Sequence, residues 1–197
     1  MRVLTIAFAA TLMLSGCGSN GASNVQPDEI TTAEKFIDAF YSFDRSRLEP
    51  LLAHTAQAVQ DDILYYQGWA EGGHYRVADR MHCTTEGTGK VKCPVTVKDD
   101  HMAALGIPFD VTDTFHLSFE DGRISSVETT SNDLDVYWAA QEWANRTRPE
   151  LVGEPCKGFF KGGPTPQKCA QAMAQAYAEF AASDEFPPDP MTWRSPK

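Results

Sequence analysis

The sequence predicts an α+β fold, with N-terminal helices packed in a curved antiparallel sheet and a helical extension at the C-terminus. Three observations predict it. Apolar residues recur at helical spacing as far as Trp69, alternate from Tyr75 to Val127, and return to helical spacing after Asn132. A period that changes from 3.6 to 2 and back marks helices, sheet and helices in turn. Asp121-Gly122, set between two alternating runs, is a two-residue hairpin signal. Helices and strands segregated along a chain, rather than interleaved, belong to an α+β layout.

The first helix is expected in "DEITTAEKFIDAFYSFD". Thr31 and Glu34 form a TxxE capping box ahead of an apolar stripe of Phe36, Ile37, Phe40 and Tyr41. "RSRLEPLLAHT" follows with Leu48, Leu51 and Leu52, and "AQAVQDDILYYQGW" sets Val59, Ile63 and Tyr66 on one face. The Gly72-Gly73 turn then begins a strand. Tyr75, Val77, Asp79, Met81 and Cys83 share one face of it, and His74, Arg76, Ala78, Arg80 and His82 share the other. "KVKCPVTVKDD" returns with Val91, Cys93, Val95 and Val97 on one side, a register that sets Met81 opposite Val95 and Asp79 opposite Val97. In "IPFDVTDTFHLSFEDGRISSVETTS", Phe115, Leu117 and Phe119 alternate with Thr114, His116, Ser118 and Glu120 before the Asp-Gly turn reverses the chain. Two amphipathic helices are expected in "DLDVYWAAQEWANR" and "PQKCAQAMAQAYAEFAAS". The Pro-rich tail "DEFPPDPMTWRSPK" reads as irregular.

The 197 residues carry 17 Lys and Arg against 27 Asp and Glu, a formal charge of −10. Such an acidic surface argues against nucleic acid and against an electrostatic grip on anionic lipid. At the N-terminus, Arg2 precedes an apolar run from Val3 to Leu14, too short for the ~20 residues of a spanning helix and right for a signal peptide. The "LSGC" at 14–17 that follows resembles the lipobox of bacterial lipoproteins, in which the cysteine is acylated and becomes the mature N-terminus. The resemblance implies lipidation at Cys17, a membrane held through that lipid, and residence in the bacterial cell envelope. Gly18 and Ser19 after the anchor imply the outer membrane, facing the periplasm. The expected organisation is a signal peptide over 1–16, a Gly/Ser/Asn-rich tether over 17–28, an α+β domain over 29–133, the helical extension over 134–183 and the tail over 184–197.

Beyond Cys17 four cysteines remain, an even number that in an exported chain reads as two disulfides. "CTTEGTGKVKC" places Cys83 and Cys93 symmetrically about Thr88 in a hairpin, and "CKGFFKGGPTPQKC" is a Gly/Pro-rich loop that Cys156–Cys169 closes. Loops of this size stabilise by roughly 2–4 kcal/mol each in the chain-entropy model. With no CxxC and scattered histidines, no metal is expected. No cofactor is expected either, since GxGxxG, P-loop, HExxH and GxSxG patterns are missing.

"AEKFIDAFYSFDRSRLEPLLA" and "FHLSFEDGRISSVE" are similar to the opening helix and the late hairpin of the NTF2-like (SnoaL-like) superfamily, over roughly residues 30–140. The resemblance implies a cone whose sheet wraps the helices and leaves a pocket at its open end. Members include ketosteroid isomerases and dehydratases, and many non-enzymatic binding or dimerising domains, so the fold leaves function open. Asp79, on the strand face of Val77 and Met81, is a candidate proton carrier; Asp62 and Tyr66, four apart on one helix face, join it as acid–base candidates because isomerase-type relatives pair a tyrosine hydroxyl with carboxylates. Tyr66, Trp69 and Trp138 are the candidates for ligand contact. Among the histidines, His82 and His116 fall on polar strand faces and His101 in a loop. The expectation is a small apolar ligand or an envelope protein partner, with a homodimer as a further form, and catalysis is the alternative. A docking role predicts an exposed apolar patch around Trp138 and Trp143.

Overall fold

The computed structural model describes residues 27–194; Cys17, the signal segment and most of the tether lie outside the described residues. Three helices come first: α1 (Pro27–Phe40), α2 (Arg45–Leu52) and α3 (Gln57–Gly72). Strands β1 (Arg76–Arg80), β2 (Thr84–Gly87) and β3 (Lys90–Lys98) follow, then the short helix α4 (Asp100–Ala104) and strands β4 (Val111–Glu120) and β5 (Arg123–Ser131). The chain closes with α5 (Asp135–Thr147), α6 (Pro149–Val152) and α7 (Pro166–Ala181). From Ser183 to Arg194 it makes turns without helix or strand.

The strands form one antiparallel sheet in the order β1-β3-β4-β5, with β2 also pairing with β3. Alternation on β3 and β4 buries Val91, Cys93, Val95 and Val97 together with Phe115, Leu117 and Phe119. That face meets α1 and α3 through aromatic contacts: Phe36 and Phe40 lie 5.7 and 4.8 Å from Phe115, and Tyr66 lies 6.0 Å from it. The β4–β5 turn has φ of 50° at Asp121 and 73° at Gly122, the double left-handed geometry that Asp-Gly favours.

Two local expectations are corrected. Thr31 and Glu34 do not cap α1, because the helix already starts at Pro27. Glu34 instead ties the helix to the sheet: its Oε1 accepts the Cys83 backbone N–H at 2.7 Å and its Oε2 accepts from Arg80 at 2.5 Å. The first strand is also not continuous to Cys83. It ends at Arg80, and a bulge lies between Val77 and Asp79, which leaves Asp79 opposite Thr96 and Arg80 opposite Val95. One extra residue reverses the alternation of everything after it. Residues 76–79 of this edge strand are all exposed, Val77 and Asp79 among them, as is Met81 beyond it, while Arg80 turns toward α1 and bonds Asp38 and Glu34.

Both disulfides form as paired in the sequence, Cys83–Cys93 and Cys156–Cys169. The first sits where the β2–β3 register, Thr84 opposite Lys92, brings the two cysteines face to face. The C-terminal helices belong to the same hydrophobic core as the sheet. Helix α7 packs on α3 so tightly that a Cβ on Gly72 would lie 2.4 Å from the Gln167 backbone. No helix among the described residues is long and apolar enough to cross a membrane.

Candidate functional site

A cavity of about 540 Å³ opens between the inner face of the sheet, α3, the start of α5 and the loop that Cys156–Cys169 closes. Its walls are aromatic. Helix α3 contributes Tyr66 and Trp69 one turn apart, Tyr75 follows the helix, and α5 contributes Tyr137 and Trp138. Phe159 and Phe160 come from the disulfide loop, where Phe160 takes φ of 47° between glycines at 158 and 162 that also have positive φ. Phe160 lies 5.7 Å from Tyr66 and Phe159 5.2 Å from Trp69, so the closed loop forms one side of the chamber.

The polar groups converge from β4 and the end of β5. Asp113 stands on β4 in phase with Phe115 and Leu117, so the same alternation that buries those side chains turns its carboxylate inward, where it is 4% exposed. The Tyr41 hydroxyl donates to its Oδ2 at 3.5 Å, and the Tyr66 phenol is within hydrogen-bonding reach. Burial pushes Asp113 up to about 7; the Tyr66 hydrogen bond opposes that, and the charges of Asp133 and Asp99 add to it. Asp133, just past β5, accepts from the Ser131 hydroxyl and is likewise raised by burial. Desolvation holds the Tyr66, Tyr75 and Tyr137 phenols well above 10, so they stay protonated donors at neutral pH. A carboxyl near neutrality between phenols can orient a ligand, take its proton or return one.

Trp69 marks the back wall. Its indole stacks on His101, with ring centroids 4.6 Å apart and planes 9° from parallel. His101 is not in a loop as the sequence suggested: it lies on α4, which Asp99 caps by accepting the Met102 N–H, and it is fully buried. Neither of its ring nitrogens has a hydrogen-bond partner, although Asp99 Oδ1 is 3.5 Å from Nδ1. His116 points to the opposite face of the sheet, bonded to Glu86 at 2.7 Å and to Thr130 at 3.0 Å.

Of the candidates read from sequence, Tyr66, Trp69 and Trp138 meet in this cavity. Asp79 does not line it: it lies past the bulge on edge strand β1, whose residues 76–79 are all exposed. Asp62, exposed and one turn before Tyr66, borders a separate recess beside Phe160 and Val127. Trp143 does not join Trp138 in an exposed patch. It is buried against Phe180 and donates to Glu185 at 3.1 Å, whereas Trp138 is 49% exposed. Sequence reading missed Asp113 and Asp133. For Asp113 the signal was present: it lies two residues before Phe115 in the same alternating run. No family model, curated protein or solved structure matches this chain.

Proposed function

We propose that this chain is a lipid-anchored protein of the bacterial envelope whose NTF2-like domain binds a small, largely apolar molecule in the aromatic cavity. The observation that carries the ligand reading is a chamber of about 540 Å³ with seven aromatic side chains on its walls and a buried carboxyl, Asp113, among them. That is the size and composition of a small-molecule site: apolar walls for affinity and a few convergent polar groups for orientation. The cone is supported by an antiparallel sheet whose inner face packs on α1 and α3. The anchor is supported by Arg2, the apolar run and "LSGC" ending at Cys17.

The reading is tested by extracting the purified protein with organic solvent and identifying released compounds by mass spectrometry, beside a Trp138→Ala variant. A defined compound, depleted in the variant, is expected; an empty extract together with no response to any small molecule in a thermal-shift panel would overturn it. Intact-mass measurement tests the anchor, which falls if the leader is retained unmodified.

One observation favours a second reading, general acid–base catalysis. Asp113, near neutrality beside Tyr66 and Tyr41, combines a proton carrier with phenols able to stabilise a developing oxyanion. In that case the extracted compound would exchange a carbon-bound proton with D2O on the wild type and not on Asp113→Asn.

A further inference from the structure

We infer that the molecule held in this cavity is an organic cation, an ammonium group carried on an apolar body. The inference rests on the ligand-binding reading above and specifies its chemistry.

Two independent features of the lining point the same way. The first is charge. Asp113 and Asp133 both line the chamber, and no Lys, Arg or His lines it with them. Neither carboxylate makes an ion pair among the described residues. Their hydrogen-bond donors are neutral hydroxyls: Tyr41 and Tyr66 for Asp113, Ser131 for Asp133. Buried carboxylates are ordinarily paired with a cation, because the desolvation of an unpaired charge is costly. For the buried Asp113 and the half-buried Asp133 no cation stands in the lining itself; His101, behind the Trp69 wall and 3.5 Å from Asp99, acts on Asp133, while Asp99 adds charge of the same sign to Asp113. The second feature is the wall itself. Aromatic faces carry partial negative charge and attract a cation within about 6 Å of the ring centre, with Trp the strongest. The cavity offers Trp69 and Trp138 together with Tyr66, Tyr75 and Tyr137, an aromatic enclosure of the kind that receives alkylammonium groups. A neutral apolar guest would use the rings and gain nothing from the carboxylates. An anionic guest would meet repulsion from every charged group in the lining.

The inference also sets a pH dependence. The groups facing Asp113 are Tyr41 just past α1, Tyr66 from α3, Tyr75 beyond it, Asp99 ahead of α4 and Asp133 after β5, with His101 acting on Asp133. The phenols stay neutral, so the carboxyls set the charge of the chamber, and a proton on Asp113 competes with the cation. Affinity for a cation therefore rises between pH 5.5 and 8.5, and affinity for a neutral guest does not.

The test is a titration of the purified protein, read by the change in tryptophan fluorescence to which Trp69 and Trp138 in the cavity wall contribute, with two matched pairs. These are benzyltrimethylammonium against its carbon isostere neopentylbenzene, and choline against 3,3-dimethylbutan-1-ol. At pH 8 the cation of a pair is expected to bind about tenfold more tightly than its isostere. That ratio should fall toward one in Asp113→Asn, in Asp133→Asn, and in the wild type at pH 5.5. Isosteres that bind as tightly as the cations would overturn the cation inference and leave the ligand-binding reading standing. Binding of none of the four probes, with an empty solvent extract, would overturn both.

Discussion

Replacing Asp113 by Asn should make this protein more stable, and by an amount that depends on pH. Asp113 is 4% exposed, and burial moves its carboxyl from the ordinary 3.8 to about 7. Each unit corresponds to about 1.4 kcal/mol, so a difference of about three units sets a ceiling near 4 kcal/mol. The sign follows from proton counting. Between pH 4 and pH 7 the folded state holds a proton that the unfolded chain has released, so stability falls as pH rises through that window and levels off above it. Below pH 4 both states are protonated and the cost disappears. Asparagine has the same size, carries no charge, and keeps an oxygen to accept the Tyr41 hydroxyl now 3.5 Å away. Urea denaturation of ligand-free protein at pH 4, 6 and 8 measures the effect. The variant should match the wild type at pH 4 and exceed it by about 2–4 kcal/mol at pH 8. A residual slope is expected in the variant, because Asp133 is also raised by burial. A variant less stable than the wild type at pH 8 would refute the reasoning, since Asp113 would then be a structural carboxylate stabilised where it stands. A side chain retained at a cost in stability is what a functional site leads one to expect.

Two further outcomes follow from the packing. Gly72→Ala sets a Cβ 2.4 Å from the Gln167 Cα and carbonyl oxygen, backbone atoms that cannot rotate away, so α3 and α7 must separate; a loss of about 2–4 kcal/mol in denaturant unfolding is expected, and an unchanged midpoint would show the contact to be loose. Cys156→Ser with Cys169→Ser opens a loop closed over a sequence separation of 13 and should cost about 3 kcal/mol. Because that loop carries Phe159 and Phe160, benzyltrimethylammonium affinity should fall with it, whereas loss of Cys83–Cys93 should leave that affinity alone.

The elements were legible where the apolar period was long. Phe36, Ile37 and Phe40 announced α1, Phe115, Leu117 and Phe119 announced β4, and Asp121-Gly122 announced the turn after it, because local sterics and burial act in the same direction there. The disulfides were legible for a related reason: a symmetric hairpin and a short Gly/Pro loop leave their cysteines one near partner each. What failed was parity and context. The bulge after Val77 has no Gly or Pro to signal it, and one residue of slippage exchanged Asp79 for Arg80 on the inner side. Glu34 fits a capping box in sequence, yet an earlier helix start left it available for the Cys83 N–H. Asp113 is hard to read from sequence because a charged residue in an alternating run ordinarily marks the solvent face, and only its phase relative to Phe115 says otherwise. Tyr66, Trp69 and Trp138 were individually visible. Their convergence was not, since it depends on how α5 and the 156–169 loop settle against α3.

The pairing of α3 with α7 also bears on biosynthesis. Glu71 and Gln167, bonded at 2.9 Å, are 96 residues apart in sequence. A polypeptide made from its N-terminus completes α3 long before the helix that will cover Gly68 and Gly72 exists. Until then the shallow surface at Gly68 and Gly72, where Pro166 and Gln167 will sit, is uncovered. Any truncation before Pro166 therefore removes the helix that covers these two glycines and leaves that side of α3 facing water.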